Sequence, residues 1–192
     1  MKKHIITSLL YTAVTALLLG LGYPLLITGI AQLVFHQKAN GQLIMRDDQL
    51  AGSRIIGQPF TGPTYFHSRP SAAGTGYDAS SSSGSNLGPT NKALIDRVTA
   101  SVNSETSGAA VPIDLVTASA SGLDPDISPA AALYQVPRVA RARHLGEDTV
   151  RQLVDSHITG RQFGLLGEPR VNVLSLNLAL DQLTPSRAEA QR

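Results

Sequence analysis

The chain opens with an apolar run from Ile5 to Phe35 that contains no Asp, Glu, Lys or Arg. The hydrocarbon core of a bilayer is about 30 Å thick, and a helix of about 20 apolar residues crosses it. A secretory signal peptide has an apolar core of only roughly 7–15 residues, and a buried helix of a soluble protein shows a polar face. Residues 5–35 are therefore predicted to form a transmembrane helix, preceded by a short cytoplasmic N-terminus, residues 1–4.

Small, hydroxylated or amide-bearing residues and one proline recur at every fourth position of this run. Small residues four apart let a second helix approach closely, and hydroxyl or amide groups can bond across the contact. Each four-residue step goes about 40° beyond one full turn of an α-helix. The row therefore winds around the helix, and the whole of it cannot face one straight partner. The alternative is a lone anchor with ordinary glycine and threonine content. The predicted docking face consists of Ser8, Thr12, Ala16, Gly20, Pro24, Thr28 and Gln32.

Two further expectations concern the course of this helix. Pro24 cannot donate to the helical hydrogen-bond ladder, so it is predicted to kink the helix. Lys2 and Lys3 precede the run without a nearby acid, whereas the charges of Lys38 and Arg46 after the run are balanced by Asp47 and Asp48. The positive-inside rule then favours a cytoplasmic N-terminus with the body of the protein outside.

The rest of the chain is long enough for one further domain with its own core. The predicted organisation is a juxtamembrane segment at residues 36–50, an extracytoplasmic domain at 51–185 and a polar tail at 186–192. The absence of Cys excludes disulfides and thiolate metal sites. The net charge of +2 comes from scattered arginines rather than a basic stripe with interleaved aromatics, so nucleic acid is not an expected partner.

Helical and strand patterns alternate in this domain without a regular βαβ rhythm, which predicts an α+β fold. The expected helices begin near Pro89 or Thr90, at Ser128 with a break at Pro137, and at Gly146 with a stop at Gly160. The expected strands and connections are a short strand at Ser53–Phe60, an extended piece at Tyr65–Pro70, a long loop at Ser71–Gly88, a buried strand at Ile113–Ala118 and the clearest strand at Val171–Leu180.

No residue set in the sequence makes a convincing active site. Ser85, His67 and Asp78 could form a nucleophilic triad, which keeps a membrane-anchored hydrolase open as an alternative, but Ser85 lacks the G-x-S-x-G context. The five histidines include no pair three or four residues apart, so no helical zinc motif is present. His157 is predicted to lie on the buried face of a helix. No catalytic residue and no metal ligand is therefore predicted.

Two charged clusters have structural explanations. Asp124 and Asp126 could hold a cation, but capping and turn formation before Ser128 explain them more simply. The second cluster is predicted to be a solvated face, with an anionic partner surface as the alternative. It consists of Arg138, Arg141 and Arg143.

Several long stretches, in the same order along the chain, resemble the C chain of the bacterial Kdp potassium-transporting ATPase, the KdpC family. The similarity runs from the single N-terminal span to Asp181. The stretches that carry it are Tyr65–Ala72, Ser83–Asn91, Leu115–Pro129, Gln135–Ala140 and Gly160–Val173.

This resemblance implies a non-catalytic subunit of a potassium pump in the bacterial cytoplasmic (inner) membrane. The implied partners are a channel-like potassium-selective A chain, a P-type ATPase B chain and a small F chain, together with membrane lipid. The resemblance further implies a catalytic chaperone that raises the ATP affinity of the B chain, with ATP reached through a ternary complex and no cofactor held firmly. A free-standing anchored binding protein is the remaining alternative.

Overall fold

The computed structural model describes residues 1–46, 48–105 and 109–183, so the predicted tail at 186–192 lies outside the described residues. The chain divides into two compact units, Met1–Ala51 and the part from Gly52 onward. Helices and strands mix in both, which confirms the α+β class. The helical elements are α1 (Lys2–Leu17), a π turn (Leu18–Gly22), α2 (Tyr23–Val34), α3 (His36–Ala39), α4 (Lys92–Ser104), a 3₁₀ turn (Ile113–Leu115), α5 (Pro129–Arg143), α6 (Glu147–Ser156) and α7 (Val173–Leu183). The strands are β1 (Leu43–Arg46), β2 (Gln49–Ser53), β3 (Asp126–Ile127), β4 (Ile158–Thr159) and β5 (Arg170–Asn172).

The first unit is dominated by one continuous apolar helix, Lys2–Val34, formed by α1, the π turn and α2. Its mean hydropathy is 1.9, none of it is buried against protein, and it is long and apolar enough to cross a membrane. At 1.5 Å per residue its 33 residues span about 50 Å, which exceeds the hydrocarbon thickness of a bilayer. The helix therefore either tilts or extends into the headgroup region.

Just before Pro24, where the sequence predicts a kink, the helix contains a π turn that directly precedes α2. Pro24 has no N–H to donate to the carbonyl of Gly20, and its ring would crowd that carbonyl in an ideal α-helix. The wider i→i+5 turn at Leu18–Gly22 makes room for the ring, and Pro24 then occupies the first turn of α2. The backbone stays helical at both ends of the turn, at Leu18 and at Tyr23.

In the second unit α5 and α7 pack against a small antiparallel sheet, and α6 packs against both of these helices. The strand order is β3–β5–β4, with Ile127 opposite Val171 and Ile158 also opposite Val171. Val171 is fully buried at the centre of the sheet. The core around it comprises Phe66, Leu115, Ile127, Ala131, Ala132, Val136, Val139, Ala140, Val150, Val154, Val171, Val173, Leu176 and Leu180.

Local capping signals explain the helices that the sequence predicted correctly. The Ser128 hydroxyl accepts a bond from the Ala131 N–H and Pro129 opens α5, as expected for an N-cap followed by proline. Helix α6 starts after Gly146, with Glu147 and Asp148 in its first turn. The predicted break at Pro137 is wrong, because α5 runs unbroken to Arg143 and is held on both sides of the proline by buried residues of the core.

The predicted strand at Val171–Leu180 is the largest error. Only residues 170–172 are a strand, and α7 follows directly from Val173. The alternating leucines imitate a two-residue period, but the buried positions follow helical spacing. Asn172 caps this helix by accepting bonds from the backbone N–H and the hydroxyl of Ser175. The buried residues of α7 are Val173, Leu174, Leu176, Asn177, Leu180 and Asp181.

Three smaller expectations also differ from the structure. The expected strand at Ser53–Phe60 is a turn at residues 54–56, where the Ile56 N–H bonds to the Ser53 carbonyl. The expected strand at Ile113–Ala118 is a 3₁₀ turn that starts after Pro112. Helix α4 begins at Lys92, slightly later than predicted, because the side chain of Asn91 caps it. Residues 71–88 form a loop, as predicted.

Candidate functional site

The docking face lies on the Lys2–Val34 helix, where six of its seven residues are exposed and Gln32 is partly exposed. At Gly20 a Cβ atom would meet nothing within 4 Å, so the helix backbone is open to close approach there. Ser8 donates its hydroxyl hydrogen to the Ile5 carbonyl, 2.9 Å away, within its own helix. That these positions contact another helix stays a prediction.

The π turn changes how this row of residues runs around the helix. Each four-residue step in α1 and α2 advances the row by about 40° in the same sense. A π turn holds more residues than an α turn, so a four-residue step through Leu18–Gly22 falls short of a full turn. The drift is thus partly reversed near Gly20, which keeps Ala16, Gly20 and Pro24 closer to one side than an ideal α-helix would.

Gln32 already has a partner within the first unit. Its amide exchanges two hydrogen bonds with the side chain of Asn40, each 3.2 Å long. Asn40 also donates to the carbonyl of His36, 2.8 Å away, and so ties the end of α2 to α3. Gln32 therefore stabilises the turn at the end of the helix, and the remaining six residues are the better candidates for a contact with a second helix.

In the second unit, five polar side chains of α5 and α7 hold the segment that precedes the long loop. We call this set the clamp: Gln135, Arg138, Arg143, Asn177 and Asp181. The Asn177 amide bonds both the N–H and the carbonyl of Phe66, each at 2.9 Å. Gln135 does the same for His67, at 2.7 and 3.2 Å. These side-chain amides supply the hydrogen bonds that a neighbouring strand would supply, so backbone groups of the Tyr65–Pro70 segment are paired although the segment joins no sheet.

The arginines of the clamp correct the prediction of a solvated face. Arg143 is only 6% exposed at its side chain and forms a 2.7 Å ion pair with Asp181. Its guanidinium also lies 4.6 Å from the centre of the Tyr65 ring. Arg138 donates to the carbonyls of Gly62, Pro63 and Tyr65. Of the three arginines, only Arg141 is exposed.

A helical count would have identified these buried polar residues. Arg143 lies four residues after Val139 and three after Ala140, both buried, so it shares their face of α5. Asn177 and Asp181 likewise lie four residues apart on the buried face of α7. Their partners are distant in sequence, such as Phe66 for Asn177, so the spacing indicates burial but not the bonds formed.

An open cleft of about 600 Å³ lies beside the clamp, lined in part by His67, Glu105, Tyr134 and Arg141. Burial lowers the pKa of His67 below its usual value, the nearby Arg138 charge also lowers it, and the carbonyl of Gly62, 2.7 Å from Nε2, acts in the opposite sense. His67 is therefore neutral at pH 7, and its ring serves to bond the Gly62 carbonyl.

The hydrogen bonds of the described residues do not assemble the alternative triad. His67 bonds Gly62, and the Asp78 carboxylate accepts bonds from the backbone and the hydroxyl of Ser80, at 2.9 and 2.7 Å. These Ser80 bonds hold the pKa of Asp78 below its usual value. Asp78 therefore closes a local turn of the loop, and Ser85 gains no base from either residue in the part of the chain that the structure describes.

The aspartates before Ser128 bond to protein groups. Asp124 accepts a bond from the Asp126 N–H, 3.1 Å away, and lies 3.6 Å from Arg69. Asp126 pairs with Arg170 at 3.0 Å. Residues 1–46, 48–105 and 109–183 contain no group of three or more His, Cys, Asp or Glu placed to hold a metal ion. His157, predicted on a buried helix face, is partly buried and ends α6.

A family model and several related proteins all assign the chain to the same family. Residues 5–182 match the family model "KdpC: K+-transporting ATPase, c chain". The chain is 62% identical to the potassium-transporting ATPase KdpC subunit of Koribacter versatilis over 188 residues, covering 96% of this chain and 97% of that protein. The KdpC subunits of Acidobacterium capsulatum (63% identity, 94% and 99% covered) and Gemmatimonas aurantiaca (57%, 96% and 95%) are similar in the same way. The chain therefore belongs to the KdpC family, the c chain of the K+-transporting ATPase, and this membership makes it an accessory subunit of a potassium pump.

Proposed function

We propose that this chain anchors itself in the cytoplasmic membrane through the Lys2–Val34 helix and there assembles and stabilises the pump. The observation that carries the proposal is that this apolar helix is unburied along its whole length, which distinguishes it from a core helix of a soluble protein. An apolar surface of this length needs lipid or other membrane helices around it. The proposed partners are the channel-like A chain, the P-type ATPase B chain and the small F chain.

The docking face provides the proposed contact with a second membrane helix. Helices in lipid associate through close packing of small residues, because lipid offers no hydrophobic driving force between them. At Gly20 an added Cβ atom would meet nothing within 4 Å, so the face is open to close approach there. Gly20 stands at the π turn, where the row of small residues remains closest to one side of the helix.

Gly20→Leu should weaken the association of this chain with the other pump chains about tenfold, equivalent to about 1.4 kcal/mol of lost packing. The added side chain would separate the two helices. The measurement is the amount of the other chains that co-purifies with a tagged version of this chain from mild detergent. Gly22→Leu is the matched control, because it adds the same side chain two residues away, on the opposite side of the helix.

Two results of comparing Gly20→Leu with Gly22→Leu would contradict the proposed contact. Equal losses in the two variants would mean that bulk alone disturbs the helix, and unchanged co-purification of Gly20→Leu would remove the docking face from the proposal. A wild-type chain that purifies alone, or that hydrolyses a substrate without partners, would contradict the function as a pump subunit.

We further propose that the chain is not itself catalytic and that it raises the ATP affinity of the B chain as a chaperone. With the N-terminus in the cytoplasm and the body outside, the body cannot touch cytoplasmic ATP. Such an effect then passes through the membrane helix and its neighbours as a coupling between distant sites. ATP would be reached through a ternary complex with the B chain.

The side on which the body lies can be read from a single introduced cysteine, since the chain contains none. Ile113 is 69% exposed, so Ile113→Cys should react with a membrane-impermeant maleimide on intact spheroplasts. Labelling only after the membrane is permeabilised would place the body in the cytoplasm. That result would overturn the proposed orientation and make direct contact with ATP the simpler route.

A further inference from the structure

Pro24 and the π turn before it change the backbone hydrogen bonds of the membrane helix at Leu19. In an α-helix the Leu19 carbonyl would accept a bond from the N–H of Tyr23, four residues on. The N–H of Tyr23 bonds the Leu18 carbonyl instead, in the i→i+5 pattern of the π turn. The same pattern would join the Leu19 carbonyl to residue 24, and proline has no N–H. Neither kind of helical hydrogen bond can therefore form at the Leu19 carbonyl.

The other donors near this carbonyl are engaged elsewhere. The i→i+5 pattern of the turn directs the N–H of Gly22 to the carbonyl of Leu17. The hydroxyl of Thr15 donates to two carbonyls of the preceding turn, at 2.8 and 3.1 Å. Within the part of the chain that the structure describes, no side chain donates to the Leu19 carbonyl. Its hydrogen-bonding capacity is therefore left for a group outside this chain.

The Leu19 carbonyl lies in hydrocarbon wherever the bilayer core falls along the helix. It stands about 25 Å from the Lys2 end of the helix and about 22 Å from the Val34 end. Both distances are shorter than the hydrocarbon thickness of about 30 Å, so a core placed anywhere within the helix includes this level. An unpaired carbonyl is costly there, and membrane helices with a proline pair the freed groups with neighbouring helices, side chains or water.

The chemistry of a carbonyl specifies what can cover it. A carbonyl only accepts, so the covering surface has to donate an N–H or an O–H, and lipid tails have neither. A charged lysine or arginine is expensive at this depth, whereas hydroxyl and amide side chains form hydrogen bonds between membrane helices. Gly20 follows Leu19 directly, and an added Cβ atom there would meet nothing within 4 Å, so a second helix can come close.

We propose that the Leu19 carbonyl accepts a hydrogen bond from a hydroxyl or amide side chain on a membrane helix of another pump chain. This inference rests on the proposed function as a pump subunit, and it adds a polar contact to the packing at the docking face. The partner helix that it requires carries a neutral donor inside the hydrocarbon, at the level of Leu19.

The carbonyl carbon of Leu19 reports this bond directly, because its NMR resonance moves downfield when the oxygen accepts a hydrogen bond. Labelling leucine carbonyls with ¹³C and glycine with ¹⁵N selects the Leu–Gly pairs of the chain, and Gly20→Ala identifies the pair at Leu19. The resonance should move downfield between the labelled chain alone in lipid vesicles and the pump assembled with unlabelled partners. The Leu21–Gly22 pair is the internal control, since the residues four and five positions after Leu21 both have an N–H.

Two outcomes of the NMR measurement would overturn the proposal. A resonance that keeps its unbonded position in the assembled pump would mean that no donor reaches the carbonyl. A downfield position already in the vesicles would mean that water, the helix itself or a second copy of the chain supplies the bond.

Pro24→Ala tests the same bond by supplying the missing N–H while keeping a small side chain. If the π turn persists, residue 24 donates to the Leu19 carbonyl, and if the helix relaxes to an α-helix, Tyr23 does. The resonance should then lie downfield already in the vesicles. Association with the other pump chains should weaken about threefold to tenfold, because the donor of the partner loses its acceptor.

The association measurement separates this inference from the function on which it rests. Unchanged association of Pro24→Ala, beside a loss in Gly20→Leu, would overturn the hydrogen bond and leave the packing contact in place. Failure of the wild-type chain to co-purify with pump chains would instead refute the function as a pump subunit, before any variant is compared.

Discussion

Asp181→Ala should lower the free energy of unfolding of the domain by about 3–5 kcal/mol, the usual cost of removing one partner of a buried ion pair. The two side chains are 6% and 10% exposed, and they meet at 2.7 Å. Without Asp181, the Arg143 guanidinium would keep its bond to the Thr64 carbonyl, at 2.8 Å, but lose the carboxylate that balances its charge. The Tyr65 hydroxyl, which donates to the other carboxylate oxygen, would lose its acceptor as well.

The measurement is urea unfolding of the full chain in detergent, followed by tyrosine fluorescence because the chain has no Trp. Asp96→Ala is the control, since Asp96 forms an ion pair of nearly the same length with Lys92 while both side chains are largely exposed. Exposed pairs contribute about 0–1 kcal/mol, so this control should change little. Equal effects in the two variants would show that Arg143 finds solvent or another partner when Asp181 is removed.

The elements predicted correctly are those specified by neighbouring residues. Helix α5 begins where Ser128 and Pro129 supply a cap and a fixed φ, and α6 begins where acids follow Gly146. The apolar N-terminal helix is equally local, because its length and lack of charge suffice to identify it. Each of these signals acts within a few residues and needs no knowledge of the fold.

The errors arise where contacts with distant parts of the chain determine burial and secondary structure. Asn177 is buried because it bonds Phe66, and Asp181 is buried because it pairs with Arg143. No local sequence pattern indicates these partners. When both polar residues are read as exposed, the leucines of α7 alternate like a strand. The sequence therefore does not indicate the clamp as a unit, and the prediction of a solvated face is wrong for Arg143 because its partner, Asp181, is distant in the sequence.

The sequence indicates the docking face more clearly than it indicates the exposed apolar residues of the turn between β4 and β5. The docking face is visible as a spacing of small residues, although its contact with a partner remains a prediction. Nothing in the sequence indicates that Phe163, Leu165 and Leu166 are exposed, because their exposure depends on the turn that closes between Gln162 and Leu166. Burial and exposure of apolar residues outside helices are set by tertiary structure, which local patterns do not encode.

Gly122→Ala should destabilise the domain by about 2–5 kcal/mol, the sum of a left-handed conformation and overpacking against backbone. Gly122 has a φ of +66°, and an added Cβ would lie 2.5 Å from the carbonyl oxygen of Ser83 and 2.6 Å from the backbone nitrogen of Ala73. Both neighbours belong to the long loop, so relieving the clash requires moving the loop. The carbonyl of Gly122 also accepts a 2.6 Å hydrogen bond from the hydroxyl of Ser71, and a shift of the loop would disturb this bond as well.

Gly164→Ala separates the two contributions, because Gly164 has a similar φ of +74° but an added Cβ there meets nothing within 4 Å. It should cost only about 1–2 kcal/mol, the conformational part alone. The excess in Gly122→Ala then measures how firmly residues 71–88 are held against Gly122. A firmly held loop should also become more sensitive to protease in that variant and not in the control. Equal costs in the two variants, with unchanged protease sensitivity, would show that the loop shifts freely and that its close approach to Gly122 contributes little to the fold.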